Sequence, residues 1–341
     1  MHRTLAALAL ALSICAPAYS ADETFLPKQA DPKTPSNRIK SVTIAPQPPR
    51  PPIEPSAAND PNAPFAAFQL GNYLEAARLA EARAEKSKDA RAMTLLGELY
   101  SEGLGVAPDR KKSLEWYRRA ADAGDAHATF ALGMLHLQGA GVPQSKAEAA
   151  KLFRRAAEKG HAHAAYNLAL LYIEGEVFPQ NFGEAAKMMR LAAEKDIPDA
   201  QHALAIFYQE GRGVPKDLTE SVKWLRRAAR LDHVPATFEL AVALFNGQGV
   251  EKDEVSGALA MRRAALKGNP VAQNRYARML NAGRGVQQNI SEAMAWHLMA
   301  RLQNVSDPML DTVYGNLSEE DKKRAEAILR AWLQSKAPPN T

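Results

Sequence analysis

One feature constrains this chain more than any other: its glycines return on a fixed interval. Gly103-x-Gly105-Val106 is followed by Gly139/Gly141, Gly211/Gly213, Gly247/Gly249 and Gly283/Gly285, with a variant at Gly175, and every step is 36 residues. Ala120-Ala121 recurs on the same step as Ala156-Ala157, Ala192-Ala193, Ala228-Ala229 and Ala264-Ala265. A strict period of this length marks a solenoid, in which each unit packs only on its neighbours. The 341 residues are therefore expected to hold one long array, although length alone suggests two domains of about 150 residues.

The columns within a unit predict two helices. The first carries Ala at 92, 128, 164, 200, 236 and 272 and Leu at 96, 132, 168, 204 and 240, with Tyr276 in the last unit. That spacing of four puts both columns on one helix face. The next position is always small (Gly97, Gly133, Ala169, Ala205, Ala241, Ala277), which lets helices approach closely. The recurring glycine then ends the helix, because it takes a left-handed conformation without steric cost. A column of Asp109, Ser145, Asn181, Asp217, Asp253 and Asn289 supplies N-caps for the second helix. Glu148, Glu184, Glu220 and Glu292, three positions on, complete capping boxes. The second helix ends near Gly124, Gly160, Asp196, Asp232, Gly268 and Asn304, all residue types that tolerate helix termination.

These segments resemble the Sel-one-like repeat (SLR) family, a subclass of tetratricopeptide-like helical hairpins. The resemblance is carried by Glu102-Gly103-Leu104-Gly105-Val106, Trp116-Tyr117-Arg118-Arg119-Ala120-Ala121 and Ala164-Ala165-Tyr166-Asn167-Leu168-Ala169. It implies an all-α fold, a right-handed α-α superhelical solenoid of about six 36-residue helix-turn-helix repeats with terminal caps, and the work of an adaptor scaffold. The units are 89–124, 125–160, 161–196, 197–232, 233–268 and 269–304. A capping hairpin over 65–88 precedes them, with Tyr73, Leu74, Ala77 and Leu79 available for burial, and capping helices over 305–335 follow, applying Ala325, Ile328, Leu329 and Trp332 to the last unit. The third unit departs from the pattern: it reads Gly175-Glu176-Val177-Phe178-Pro179, with Val177 where the others place their second glycine. That loop is expected to take another shape, and Phe178 either becomes an exposed contact or packs as the valine of other units does.

Ahead of the array, residues 1–20 have a basic start, an apolar stretch to about Cys15, and small residues Ala18 and Ser20 where a signal peptidase reads, so they form a signal peptide. Leu12-Ser13-Ile14-Cys15 also suggests a lipid anchor at Cys15, but Ile14 stands where that motif wants a small residue. Residues 21–64 hold 11 prolines in 44 positions and too little apolar surface to offset chain entropy, so they form a disordered proline-rich linker, either a spacer or a ligand for a partner. The protein is thus expected in the periplasm or secreted. No apolar run reaches the roughly 20 residues of a membrane span.

Chemistry is harder to find. The net charge of +5 comes from interleaved acids and bases, which argues against nucleic acid as partner, and the lone cysteine excludes a thiolate zinc site or an internal disulfide framework. His127 and His163 share a column in adjacent units, a poor two-histidine bridge, and no nucleophile elbow or phosphate loop is present. No catalytic residue, metal or cofactor is assigned. The double-arginine column (Arg118-Arg119, Arg154-Arg155, Arg226-Arg227, Arg262-Arg263) reads as a solvated face, and the four tryptophans as packing.

A more specific lead comes from the first helices. At about 100° per residue, Met134, Leu170, Ile206 and Val242 lie about 140° from the Ala/Leu stripe, an apolar ridge ended by Glu98 and Arg278. Such a ridge suits a protein or peptide partner, with Asn167, Glu239, Arg275 and Phe178 as further contacts, although the same residues could instead pack on the next unit. The expected function is an exported non-enzymatic scaffold, an adaptor or regulator of envelope signalling or exopolysaccharide control. The alternative is an envelope enzyme, β-lactamase-like or cell-wall-cleaving.

Overall fold

A computed structural model describes residues 60–335, and the regular structure of those residues is helical throughout. The segment read as a signal peptide, Cys15 and the proline-rich segment up to residue 59 lie outside the described residues. The hairpin α1 (Ala63–Gln69) and α2 (Tyr73–Ser87) comes first, and α1 opens inside the stretch read as linker. Six helix pairs follow: α3 (Ala90–Glu102) with α4 (Arg110–Asp122), α5 (Ala126–Gln138) with α6 (Lys146–Glu158), and α7 (Ala162–Glu174) with α8 (Phe182–Ala193). Then come α9 (Pro198–Glu210) with α10 (Leu218–Arg230), α11 (Val234–Asn246) with α12 (Glu254–Leu266), and α13 (Pro270–Ala282) with α14 (Ile290–Leu302). The chain closes with α15 (Pro308–Gly315) and α16 (Glu319–Ser335).

Local chemistry sets each boundary. Gly103, Gly139, Gly175, Gly211, Gly247 and Gly283 end the first helices with φ between 65° and 78°. Where the second helices end, Gly124, Gly160 and Gly268 also have positive φ, and so do Asp196, Asp232 and Asn304, at 59°, 61° and 63°. Asp and Asn are among the few side chains that visit this region readily. The second helices start on the expected caps, as when Asn181 accepts from the Glu184 amide at 3.0 Å. The capping boxes, however, are only half formed. The cap's own amide donates backwards to the first helix, Ser145 to the His136 carbonyl and Asn181 to that of Tyr172, so no donor remains for the glutamate. Glu148, Glu184 and Glu220 pair instead with Lys151, Lys187 and Lys223, one turn on.

Within a unit, small residues face large ones. A Cβ on Gly97 or Gly133 would fall within 2.6 Å of the rings of Tyr117 and Phe153 on the second helix. In the other units the small residue is Ala and the residue 20 positions on is Met189, Leu225, Met261 or His297. A Cβ gained on one helix is thus balanced by a slimmer side chain on the other, as dense core packing requires. Each first helix packs on its own second helix and on the second helix of the preceding unit, and so buries more than one face.

The seams between units are stitched. The second arginine of the double-Arg column reaches back to the preceding unit: Arg155 and Arg227 donate to the carbonyls of Ala121 and Ala193, and Arg263 pairs with Asp232. The column is therefore only partly a solvated face, because these carbonyls lie at the C-terminal ends of helices, where a cation is favoured by the dipole. The third unit has Leu191 at this position, 45% exposed. Except at Gly141, the second glycine of each pair serves the seam as well. Gly213, Gly249 and Gly285 lie so close to the preceding unit that a Cβ would stand 2.0–2.2 Å from the carbonyl oxygens of Phe182, Leu218 and Glu254. Val177 has no positive φ, and its loop differs from the others, as expected.

At the C-terminal end, the ring of Trp332 of α16 packs tilted against that of the buried Trp296 of α14, with centres 4.5 Å apart, and Ala325 is buried with them. All four tryptophans are buried. At the N-terminal end Ala77 and Leu79 are buried, but Leu74, expected inside, is 73% exposed, because it sits on the outer side of α2.

Candidate functional site

The first helices carry the proposed contact residues, and their packing decides what stays open. Met134 and Leu170 are half-buried against the central core, Ile206 is half-buried, and Val242 packs against the C-terminal core. Each is thus neither core nor fully open, because each first helix is held between two second helices. Asn167 is half-buried and donates to the His163 carbonyl at 2.8 Å. Phe178 is half-buried too: it stacks on Tyr172 at 4.8 Å and under the Arg154 guanidinium at 5.2 Å, which favours packing over an exposed contact.

Three of the candidates do meet. Val242, Glu239 and Arg275 line one pocket of about 190 Å³, together with Leu218, Val222 and Leu225 of α10, Phe238 and Ala243 of α11, and Gln209, Ser221 and Gln248. Glu239 and Arg275 are 36 residues apart, so they occupy one column of adjacent units. Their opposite charges come from neighbouring first helices. Leu218 is an apolar residue at the first position of α10, a place that is charged in three units (Arg110, Lys146, Glu254) and apolar in the other two (Phe182, Ile290). Its apolar character was visible in the sequence but carried no meaning until the pocket placed it in the same lining as Phe238.

The polar groups of the pocket are incompletely paired. His202 Nε2 lies 3.0 Å from Glu239 Oε1, which fixes the carboxylate against α9. Glu239 Oε2 is buried and has no hydrogen-bond partner. A buried acceptor left so costs about 1–3 kcal/mol. Arg275 is exposed, and its guanidinium lies 5.0 Å from the centre of the Phe238 ring, its sole contact of this kind among the described residues.

Histidines form a second cluster, with a pairing other than the shared column suggests. His127 pairs with His161 rather than His163: His161 Nε2 lies 3.2 Å from His127 Nδ1. The reason is a helix cap. His161 Nδ1 accepts the Ala164 amide at 3.1 Å, so its other nitrogen carries the proton and donates to His127. Burial, with His127 and His163 nearby, lowers the His161 imidazole to about 4. His233 repeats the motif two units on, accepting from the Ala236 amide and facing Asp199 at 3.3 Å. Among the described residues no group of three or more His, Cys, Asp or Glu is placed to hold a metal ion, and no helix is long and apolar enough to cross a membrane.

Comparison with known proteins accounts for the architecture. The family model for the Sel1 repeat matches six consecutive stretches, residues 90–125, 126–161, 162–197, 198–233, 234–269 and 270–305. Among solved structures, the chain is similar to c5321, a protective antigen present in uropathogenic Escherichia coli strains that displays an SLR fold. The identity is 30%, the TM-score 0.66, and the match covers 73% of this chain and 54% of that one. This chain therefore spans about half the length of the antigen. It is also similar to a Sel1 repeat protein from Oxalobacter formigenes, at 27% identity and a TM-score of 0.59, over 74% of this chain and 100% of that one. No curated protein matches it.

Proposed function

The chain belongs to the Sel1 repeat family, and on that premise we propose that it is an exported, non-enzymatic scaffold that holds a protein or peptide partner, as an adaptor or regulator of envelope signalling or exopolysaccharide control. Sel1 repeat proteins are in general protein-interaction modules. The observation that carries the reading is the pocket of Val242, Glu239 and Arg275, where apolar walls stand next to a buried carboxylate oxygen without a hydrogen-bond partner and an exposed guanidinium. Export rests on the sequence of residues 1–20, and the regulatory role on the resemblance to the family.

The test is capture of a partner from envelope extract by the tagged full-length chain, identified by mass spectrometry and repeated with Val242→Arg. A partner captured by the wild-type chain and lost from a folded variant supports the reading. Turnover of peptidoglycan or of a β-lactam reporter by the purified protein would overturn it in favour of an enzyme.

A further inference from the structure

The pocket between α10 and α11 is small and electrically balanced, and both properties bear on its occupant. Pockets for small-molecule ligands usually measure about 300–1,000 Å³, whereas this one has about 190 Å³. That is space for a single side chain. Its inner surface is apolar, from Val222, Leu225, Phe238 and Val242, so the side chain it favours is apolar too.

Charge narrows the choice further. Glu239 is anchored through Oε1 to His202, with Oε2 lacking a partner, and Arg275 lies over Phe238 with no carboxylate in reach. A lysine or arginine entering the pocket would gain Glu239 but meet the guanidinium of Arg275. A carboxylate would gain Arg275 but meet Glu239. A peptide group is neutral overall and offers one N–H donor and one C=O acceptor, so it satisfies both charges at once.

We propose that this pocket binds an extended segment of a partner protein by one apolar side chain, seated against Val242 and Leu225, while the peptide group beside that side chain donates to Glu239 and accepts from Arg275. This rests on the scaffold reading above and specifies its partner's chemistry. The polar pair would set the register of the segment, and the apolar seat would select residues of the size of Leu or Met. The same column is Asn167 and Ala203 in earlier units and offers no such pair, so the site is single rather than repeated along the array.

The probe is a phage-displayed library of random peptides of about twelve residues, selected on the full-length protein, with the best peptides synthesised for fluorescence anisotropy. The expected peptides share one apolar residue and no obligatory charge. Binding should weaken about tenfold or more with Glu239→Gln, with Arg275→Gln, and with the peptide N-methylated next to its apolar residue. Circular dichroism confirms that each variant is folded. Val242→Phe, which fills the pocket without adding charge, should also abolish binding. Peptides that require Lys or Arg, peptides indifferent to these folded variants, or a selection that yields no binder would each overturn the proposal. If the native partner is nonetheless captured and lost with Val242→Arg, the scaffold reading stands and only the peptide chemistry falls.

Discussion

His161 caps α7 with one ring nitrogen and donates from the other to His127, 3.2 Å away in the preceding repeat. One imidazole thus closes a helix end and a seam between units, and it can do both only while neutral. Protonation would replace the acceptor at Nδ1 with a donor and set it against the Ala164 amide.

The sign of the pH dependence follows. Burial, with His127 and His163 adding to it against the opposing Asp125, lowers the folded value from 6.5 to about 4. The unfolded chain therefore binds the proton more readily than the folded one. Stability attached to His161 is complete above about pH 6.5 and falls as the pH drops from there to about 4, by about 1–3 kcal/mol after allowance for solvent at the ring edge. His161→Asn keeps a good cap acceptor and removes the titration. Urea titrations of both proteins between pH 7 and 4 should show the wild-type chain losing stability relative to the variant. Parallel curves would show that the imidazole contributes nothing to acid sensitivity.

The second glycines separate backbone strain from crowding. Gly141 and Gly213 both have positive φ, but a Cβ on Gly141 would meet only Arg110 Cβ at 3.9 Å, whereas on Gly213 it would lie 2.0 Å from the Phe182 carbonyl oxygen. Gly141→Ala should cost about 1–2 kcal/mol for the left-handed backbone. Gly213→Ala should cost a further 1–3 kcal/mol or so for the collision. Chemical denaturation of the two variants decides it, and equal losses would mean that the seam opens to accept a methyl group.

Asp307 ties the last repeat to the C-terminal cap. Its carboxylate caps α15 through the amides of Met309 and Leu310 and accepts from Asn274 and Arg278 of α13. Burial alone would raise its pKa, but the bonds from Arg278 and Asn274 outweigh that and hold it down at about 2. Its contribution is present above the ordinary value of 3.8 and is lost as the pH falls through about 2. Asp307→Ala should cost about 2–4 kcal/mol. In hydrogen exchange, α15 and α16 should lose protection before the central repeats do. Uniform loss along the array would show that the cap and the repeats open together.

Leu191 occupies the place where Arg155 and Arg227 stitch their seams. Leu191→Arg should restore a bond to the helix end formed by Ala157 and raise stability by about 0.5–1.5 kcal/mol. An unchanged urea midpoint would show that the arginine column adds nothing to cohesion.

Much of this was legible because each signal acts locally. Asp196, Asp232 and Asn304 end helices by a conformation that their own side chains tolerate, and the column of caps from Asp109 to Asn289 bonds within three residues. Misreadings arose where a residue's role lies in the next unit. Arg155 reads as a surface charge until the Ala121 carbonyl, 34 residues back, is beside it. His161 looks like an ordinary surface histidine until its cap position dictates the tautomer that finds His127. The ridge through Leu170 and Met134 was placed by helical angle alone, which cannot reveal that packing between two second helices leaves these residues half-buried. Glu239 and Arg275 were legible as a pair of opposite charges in one column, but the walls supplied by α10 were not.

Loaded from its two ends, a row of such repeats behaves as springs in series, and the softest coil sets the extension. The arginine clamp crosses the seams of 89–124 with 125–160 and of 161–196 with 197–232, but at the junction of 125–160 with 161–196 Leu191 takes its place, as Met299 does at the last seam. Polar bridges across that junction are the His161–His127 contact, the hydrogen bond from Arg154 to the Tyr172 hydroxyl and the exposed pairing of Lys146 with Glu174 and Glu176. Tension should open the array first at a seam that lacks the arginine, and acid should lower the force needed at the one a third of the way along the repeats, where the neutral His161 holds the two units together.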